Sequence, residues 1–89
     1  MRIEKYEPVT VSVDAVQVTV DNMEDVAFWC DGAIKGTKLP PEDREIEIWN
    51  KVLQQEQRAE VGDWIYNKTG TFWVAKHDHF KLFYTKVKL

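Results

Sequence analysis

The chain is poor in cysteine, glycine and proline, with one, four and three in 89 residues. A single cysteine, Cys30, excludes an intrachain disulfide. It fits a reducing compartment, so a cytoplasmic location is expected. No apolar run approaches the roughly 20 residues that span a bilayer. The opening MRIEKYEP lacks the apolar core of a signal peptide. The glycines never cluster, and there is no phosphate-cradling G-x-x-x-x-G-K-S/T loop, no G-x-S-x-G and no H-E-x-x-H. A non-enzyme without a cofactor is therefore expected.

What the chain does have is aromatic weight and a charge divide. It carries four Trp, four Phe and three Tyr. Each buried ring removes roughly 150–250 Å² from water, so a few can anchor a small core. With 44% hydrophobic and 30% charged residues, the composition is that of one globular domain over residues 1–89. Residues 1–63 hold seven Lys/Arg and fourteen Asp/Glu, a balance of −7. Residues 64–89 hold five Lys and one Asp, a balance of +4. Internal neutralisation across the fold is the simplest consequence. Head-to-tail pairing of two copies and a basic face for an acidic ligand are the alternatives.

Val9 to Val20 alternates apolar and polar residues, the period of a half-buried strand. The phase changes midway, so a bulge or bend near Asp14-Ala15 is predicted to bring both valine triplets onto one face. Next, Met23, Val26, Ala27 and Cys30 follow i, i+3, i+4, i+7 spacing. Asp21 or Asn22 stands ready as a cap and Gly32 as a stop. One short helix over about residues 22–31 follows. AIKGTKL reads as a short strand and LPPEDRE as a loop. EIEIW places Ile46 and Ile48 on one face and Glu45, Glu47 and Trp49 on the other. Residues 50–57 have helical composition but lie between strand-like runs, and a hairpin with its loop near Leu53–Gln55 is the favoured reading. WIYN and TFWVA flank Lys68-Thr69-Gly70, a hairpin signal in which Gly70 takes positive φ. KHDH then connects to a last strand, FKLFYTKVKL. The expected fold is α+β: a curved antiparallel sheet or small partly open barrel of five or six strands with one short helix.

The run Gly62-Asp63-Trp64-Ile65, then Gly70, Phe72 and Trp73, then Asp78, Phe80 and Tyr84, resembles a group of small phage and prophage proteins. Their hallmark is Pro-Gly-Asp-Trp/Tyr-Ile, followed by Gly-x-Phe-Tyr and Asp-x-Phe-x-x-x-Tyr. Ala15-Val16-Gln17 and Ile48-Trp49-Asn50-Lys51 are similar to that group as well. Val61 stands where the group has Pro, and His-Asp-His departs from its pattern. The resemblance implies a phage accessory origin and no specific activity.

Candidate chemistry is sparse. His77 and His79 could grip a metal from one side of an extended segment, but a closed zinc site needs four ligands. No metal site is therefore assigned, and Asp78 is expected to cap the turn before Phe80. Cys30 could pair with either histidine as nucleophile and base. At an apolar position near a helix C-terminus, it reads instead as a buried structural thiol. Gly62, Asp63 and Gly70 are structural turn residues, with Asp63 bonding to backbone two residues on. Trp64, Tyr66, Phe72, Trp73, Phe83 and Tyr84 interleave with Lys68, Lys76, Lys81, Lys86 and Lys88. That mixture suits single-stranded nucleic acid or a small anionic nucleotide. The leading expectation is a protein-interaction module that also self-associates. Its surface includes Trp29, Trp49, Trp73, Lys76 and Lys81, and its partner is a host or phage protein.

Overall fold

The computed structural model describes residues 13–84. In chain order these form β1 (Asp14–Gln17), α1 (Met23–Trp29), β2 (Ala33–Lys35), β3 (Glu45–Asn50), β4 (Gln55–Glu60), β5 (Trp64–Lys68), β6 (Thr71–Ala75) and α2 (His77–Phe83), with one 3₁₀ turn at Pro41–Asp43. The fold is α+β, as expected, with six strands and two short helices, rather than one, among the described residues. The strands divide into two antiparallel three-stranded sheets, ordered β1-β5-β6 and β2-β3-β4, rather than one curved sheet or barrel.

The alternation of EIEIWN builds the centre. Ile46, Ile48 and Asn50 are buried and point one way, while Trp49 is exposed on the other side. Val18, Ile65 and Ala59 join the two isoleucines, and Met23, Val26, Ala27 and Cys30 of the helix close over them. The predicted helical stripe is thus the buried one. Each fully buried Val or Ile stabilises by about 1.5–3 kcal/mol relative to exposure.

α1 stops in a Schellman arrangement. Gly32 N–H donates to Ala27 O at 2.8 Å and Asp31 N–H to Phe28 O at 3.4 Å. The left-handed residue is Asp31, at φ 54°, and not the glycine expected to stop the helix. Gly32 is required for space, because a Cβ there would stand 2.9 Å from both Glu47 O and Ile46 Cγ2. At the other end, Asn22 occupies the N-cap position without a side-chain cap bond. Its Oδ1 accepts from Thr19 N–H at 2.7 Å, and its Nδ2 donates to Gln17 O at 2.8 Å.

Three expectations are corrected. The β1–β5 register runs unbroken from Asp14↔Asn67 to Gln17↔Trp64, so no bulge sits at Asp14-Ala15. Val9 and Val11 lie outside the described residues. The predicted final strand, FKLFYTKVKL, begins instead inside a helix over His77–Phe83, followed by extended Tyr84, and its residues 85–89 lie outside the described residues. The physical reason is a face: Phe80 stacks on Tyr84 at i+4, with centroids 4.8 Å apart, and Phe80 in turn covers Trp64 of β5 at 4.4 Å. Helical spacing gathers rings that strand alternation would have aligned with Leu82, which is exposed instead. Asp78, finally, makes no cap bond. It lies in the first turn of α2, where a carboxylate favours the helix dipole.

The segment 50–57 is a hairpin. β3 and β4 pair from Glu45↔Glu60 to Asn50↔Gln55 around a loop of residues 51–54. Asn50, wholly buried, organises that loop. Its Oδ1 accepts from Val52 N–H (3.0 Å) and Leu53 N–H (2.8 Å), while its Nδ2 donates across to Phe72 O of β6 (3.1 Å). Gln57 of β4 accepts from Val74 N–H of β6 through Oε1 at 3.2 Å. Two side-chain amides therefore occupy backbone groups of edge strand β6 and bolt the two sheets together, a form of edge protection.

Candidate functional site

Three places merit a functional reading: the turn before β5, the seat of α2, and the end of the molecule where the two hairpin tips meet.

In the first, Glu60–Asp63 closes a four-residue turn, with Asp63 N–H donating to Glu60 O at 3.0 Å. Gly62 is its third residue at φ 98°, where only glycine sits without strain. Asp63 is 5% exposed, and its carboxylate bonds backward, not two residues on. Oδ2 accepts from Glu60 N–H at 2.9 Å and from Lys76 Nζ at 3.1 Å. Lys76 also lies 3.5 Å from Glu60. The Asp63 hydrogen bond is the main influence holding the Lys76 ammonium above its ordinary pKa. A lysine of the basic third is thereby neutralised against the acidic part of the chain, as internal charge balance requires.

In the second, α2 lies over Trp64 and Tyr66. Trp64 stacks on Phe80 and packs against His77, whose ring centroid is 6.3 Å away. Its indole N–H donates to His77 Nδ1 at 3.0 Å, so that nitrogen serves as the acceptor. Lys81 Nζ stands 5.5 Å from the Trp64 ring centroid, a cation–π distance. Tyr66 packs on Phe80 and Tyr84, and its burial is the first cause of a raised hydroxyl pKa. Trp73 pairs with Tyr66 across the hairpin and is partly buried. Its indole nitrogen is buried with no acceptor among the described residues. Of the rings proposed as a stacking platform, Trp64, Tyr66 and Tyr84 are thus engaged within the fold, chiefly through Phe80, whereas Phe83 is exposed.

The third place was only half visible from sequence. The β5–β6 turn has both central residues at positive φ, Thr69 at 51° and Gly70 at 84°, the type I′ pattern. The tip of β3–β4 adjoins it: Lys51 Nζ is 3.8 Å from where a Cβ of residue 70 would lie. Trp29, at the end of α1, meets Phe72 edge-on at 5.0 Å. Three segments therefore converge at one end. They expose Phe28 (91%), Trp29 (39%), Trp49 (59%), Val52 (63%) and Leu53 (46%), five of the nine large apolar residues exposed among the described residues. Trp29 and Trp49 were anticipated here, whereas Trp73, Lys76 and Lys81 lie elsewhere. Phe28, Val52 and Leu53 were missed, although Val52-Leu53 at a hairpin tip is a readable signal.

No other place among the described residues gathers reactive groups. Among the described residues, no three His, Cys, Asp or Glu side chains cluster as metal ligands. Cys30 is buried, burial raises its thiol pKa, and its Sγ lies 3.8 Å from Ala27 O. A depression of about 340 Å³ is lined by Val20, Asp21, Met23, Glu24, Asp25 and Arg44, among others. The Arg44 guanidinium is turned to the carbonyls of Thr37 and Leu39. No helix among the described residues is long and apolar enough to cross a membrane. No family model, curated protein or solved structure matches the chain.

Proposed function

We propose that this is a small non-catalytic accessory protein of phage type that acts by binding another protein through its hairpin end. One observation carries the reading: Trp29, Val52 and Leu53 stand exposed on segments that meet at that end, with Trp49 exposed beside the tip on the outer face of β3. Exposed apolar clusters with tryptophan at their centre are the usual anchors of protein recognition. The phage origin rests on the motif resemblance alone. The alternative, a binder of single-stranded nucleic acid or a small anionic nucleotide, draws less support. Its stacking rings Trp64, Tyr66 and Tyr84 are engaged with one another and with α2, and Lys76 is paired with Asp63.

The test is capture from host lysate by immobilised wild type and by the double variant Trp49→Ser/Leu53→Ser. Specific proteins retained by wild type and lost by the variant are expected. Equal retention by both, or none by either, would remove the reading.

A further inference from the structure

We infer that the outward face of the β2-β3-β4 sheet is a docking surface for a basic segment of another protein, with an arginine seated between Trp49 and Glu56. This surface is distinct from the apolar tip of the hairpin end, and the inference goes beyond that reading. Strand alternation fixes the face. Glu45, Glu47 and Trp49 of β3 stand directly opposite Glu60, Arg58 and Glu56 of β4 on one side of the sheet. None of the six is buried, whereas Ile46, Ile48, Asn50 and Ala59 on the other side are. Helix α1 closes over that other side.

Charge selects the occupant. Most carboxylates of this face already hold a cation. Arg58 reaches Glu47 at 3.0 Å and Glu45 at 3.8 Å. Lys35 of β2 lies 3.8 Å from Glu47, and Lys76 lies 3.5 Å from Glu60. Glu56 is the exception: it is exposed, and no Lys or Arg among the described residues pairs with it. Lys51, two residues beyond Trp49, turns its ammonium instead toward Gly70, 3.8 Å from where a Cβ there would lie. Directly opposed residues of an antiparallel pair hold their Cβ atoms about 4.5–5.5 Å apart. An uncompensated carboxylate therefore stands beside an indole that is 59% exposed. Arginine matches that pair, because its flat guanidinium stacks on an aromatic ring while its fork takes a carboxylate. An apolar occupant would bury Glu56 unpaired, and an anionic one would face the four glutamates of this side.

The test follows the four indole N–H resonances of the isotopically labelled full chain by nuclear magnetic resonance, at neutral pH and about 20 mM salt, with hexa-arginine as the probe. The Trp49 signal is the one missing from Trp49→Phe. It is expected to move saturably and further than the other indoles, with a Kd of about 0.1–1 mM. Hexa-lysine, whose ammonium groups offer no flat face, should bind at least about threefold more weakly. Glu56→Gln should weaken hexa-arginine about two- to fivefold, and salt raised to about 200 mM should weaken it further. Leu53→Ser should change nothing. A Trp49 signal that moves no more than the others overturns the inference. So does binding indifferent to Glu56→Gln, to salt or to the exchange of arginine for lysine. Hexa-glutamate or hexathymidylate moving Trp49 equally would overturn it too, as would loss of binding in Leu53→Ser, which places the contact on the apolar tip. If hexa-arginine fails while a captured protein is lost in Trp49→Ser/Leu53→Ser, the hairpin-end reading stands and this one falls. If hexa-arginine binds as expected while nothing is captured from lysate, the sheet face stands and the hairpin-end reading falls.

Discussion

Asn50→Ala should be among the most damaging single changes in this chain, although it removes only three heavy atoms. Asn50 is 0% exposed and makes three hydrogen bonds, two to the loop N–H groups of Val52 and Leu53 and one to Phe72 O. Val52 and Leu53 are exposed, so their N–H groups can turn to water and cost little. The Phe72 carbonyl lies in the seam between the sheets and loses its donor, at about 1–3 kcal/mol. With the two turn bonds at the low end, about 0.5 kcal/mol each because their N–H groups turn to water, the total is about 2–4 kcal/mol. A domain this size has about 4–13 kcal/mol in all. At an m-value of about 1–1.5 kcal/mol/M, the urea midpoint should fall by about 2 M. Tryptophan fluorescence and far-ultraviolet circular dichroism should report one coincident transition. Asn50→Asp separates the two roles. It keeps the acceptor for the loop but sets an oxygen against Phe72 O and buries a charge, so at neutral pH it should be no milder than Asn50→Ala. It should recover in acid, where the protonated carboxyl donates to that carbonyl. A midpoint shift below about 0.4 M for Asn50→Ala, or Asn50→Asp clearly milder at pH 7, would refute the claim that this amide bolts the sheets together.

Gly62→Ala isolates backbone strain, because no atom lies within 4 Å of the added Cβ while φ is 98°; a loss of about 1–2 kcal/mol is expected in the same urea assay, and none would mean the turn relaxes freely. Thr69→Asn should stabilise by about 0.5–1 kcal/mol, since a β-branched residue now sits at φ 51° in a type I′ turn. Tyr66 ionises at higher pH folded than unfolded because of its burial, so its contribution is whole below pH 10.0 and lost as pH rises through the folded value. Lys76 acts in the same sense above 10.5. Thermal melts from pH 8 to 11 should therefore show wild type losing stability above pH 10 more steeply than Tyr66→Phe.

Local pattern made much of this fold legible. Period-2 alternation gave β3 its buried face, helical spacing gave α1 its stripe, and Lys68-Thr69-Gly70 marked the second hairpin. What stayed hidden was decided by tertiary contact. The run from Phe80 alternates well enough for a strand and KHDH reads as a connector, yet His77–Phe83 is a helix because Trp64 and Tyr66 offer an aromatic floor to Phe80 and Tyr84. The split into two sheets was equally hidden, since it depends on Asn50 and Gln57 filling the edge of β6 and nothing local distinguishes those amides from loop-forming ones. Of the candidate site, the exposed tryptophans were foreseeable in kind. The place of Trp29 beside Val52 and Leu53 depends on two hairpin tips and a helix end meeting in space, while Trp49 looks out from the other face of β3.

The distribution of apolar bulk bears on what the hairpin end is for. The central cluster is built from Val, Ile, Ala, Met and Cys, with none of the four tryptophans fully buried. Trp64 and Trp73 brace the face that carries α2, where the Trp64–Phe80 stack holds the helix down. Trp29 and Trp49 serve neither purpose to the same degree. Trp49 occupies an outward position of β3, on the face where Arg58 pairs with Glu45 and with the largely covered Glu47. A threonine or lysine there would satisfy strand propensity and solubility alike. An indole in that position, one residue from the amide that fixes the loop bearing Val52 and Leu53, adds nothing to the core. Its apolar surface stabilises only when something covers it. If Trp49→Lys leaves both stability and every association unchanged, that inference fails, and the exposed ring is merely tolerated.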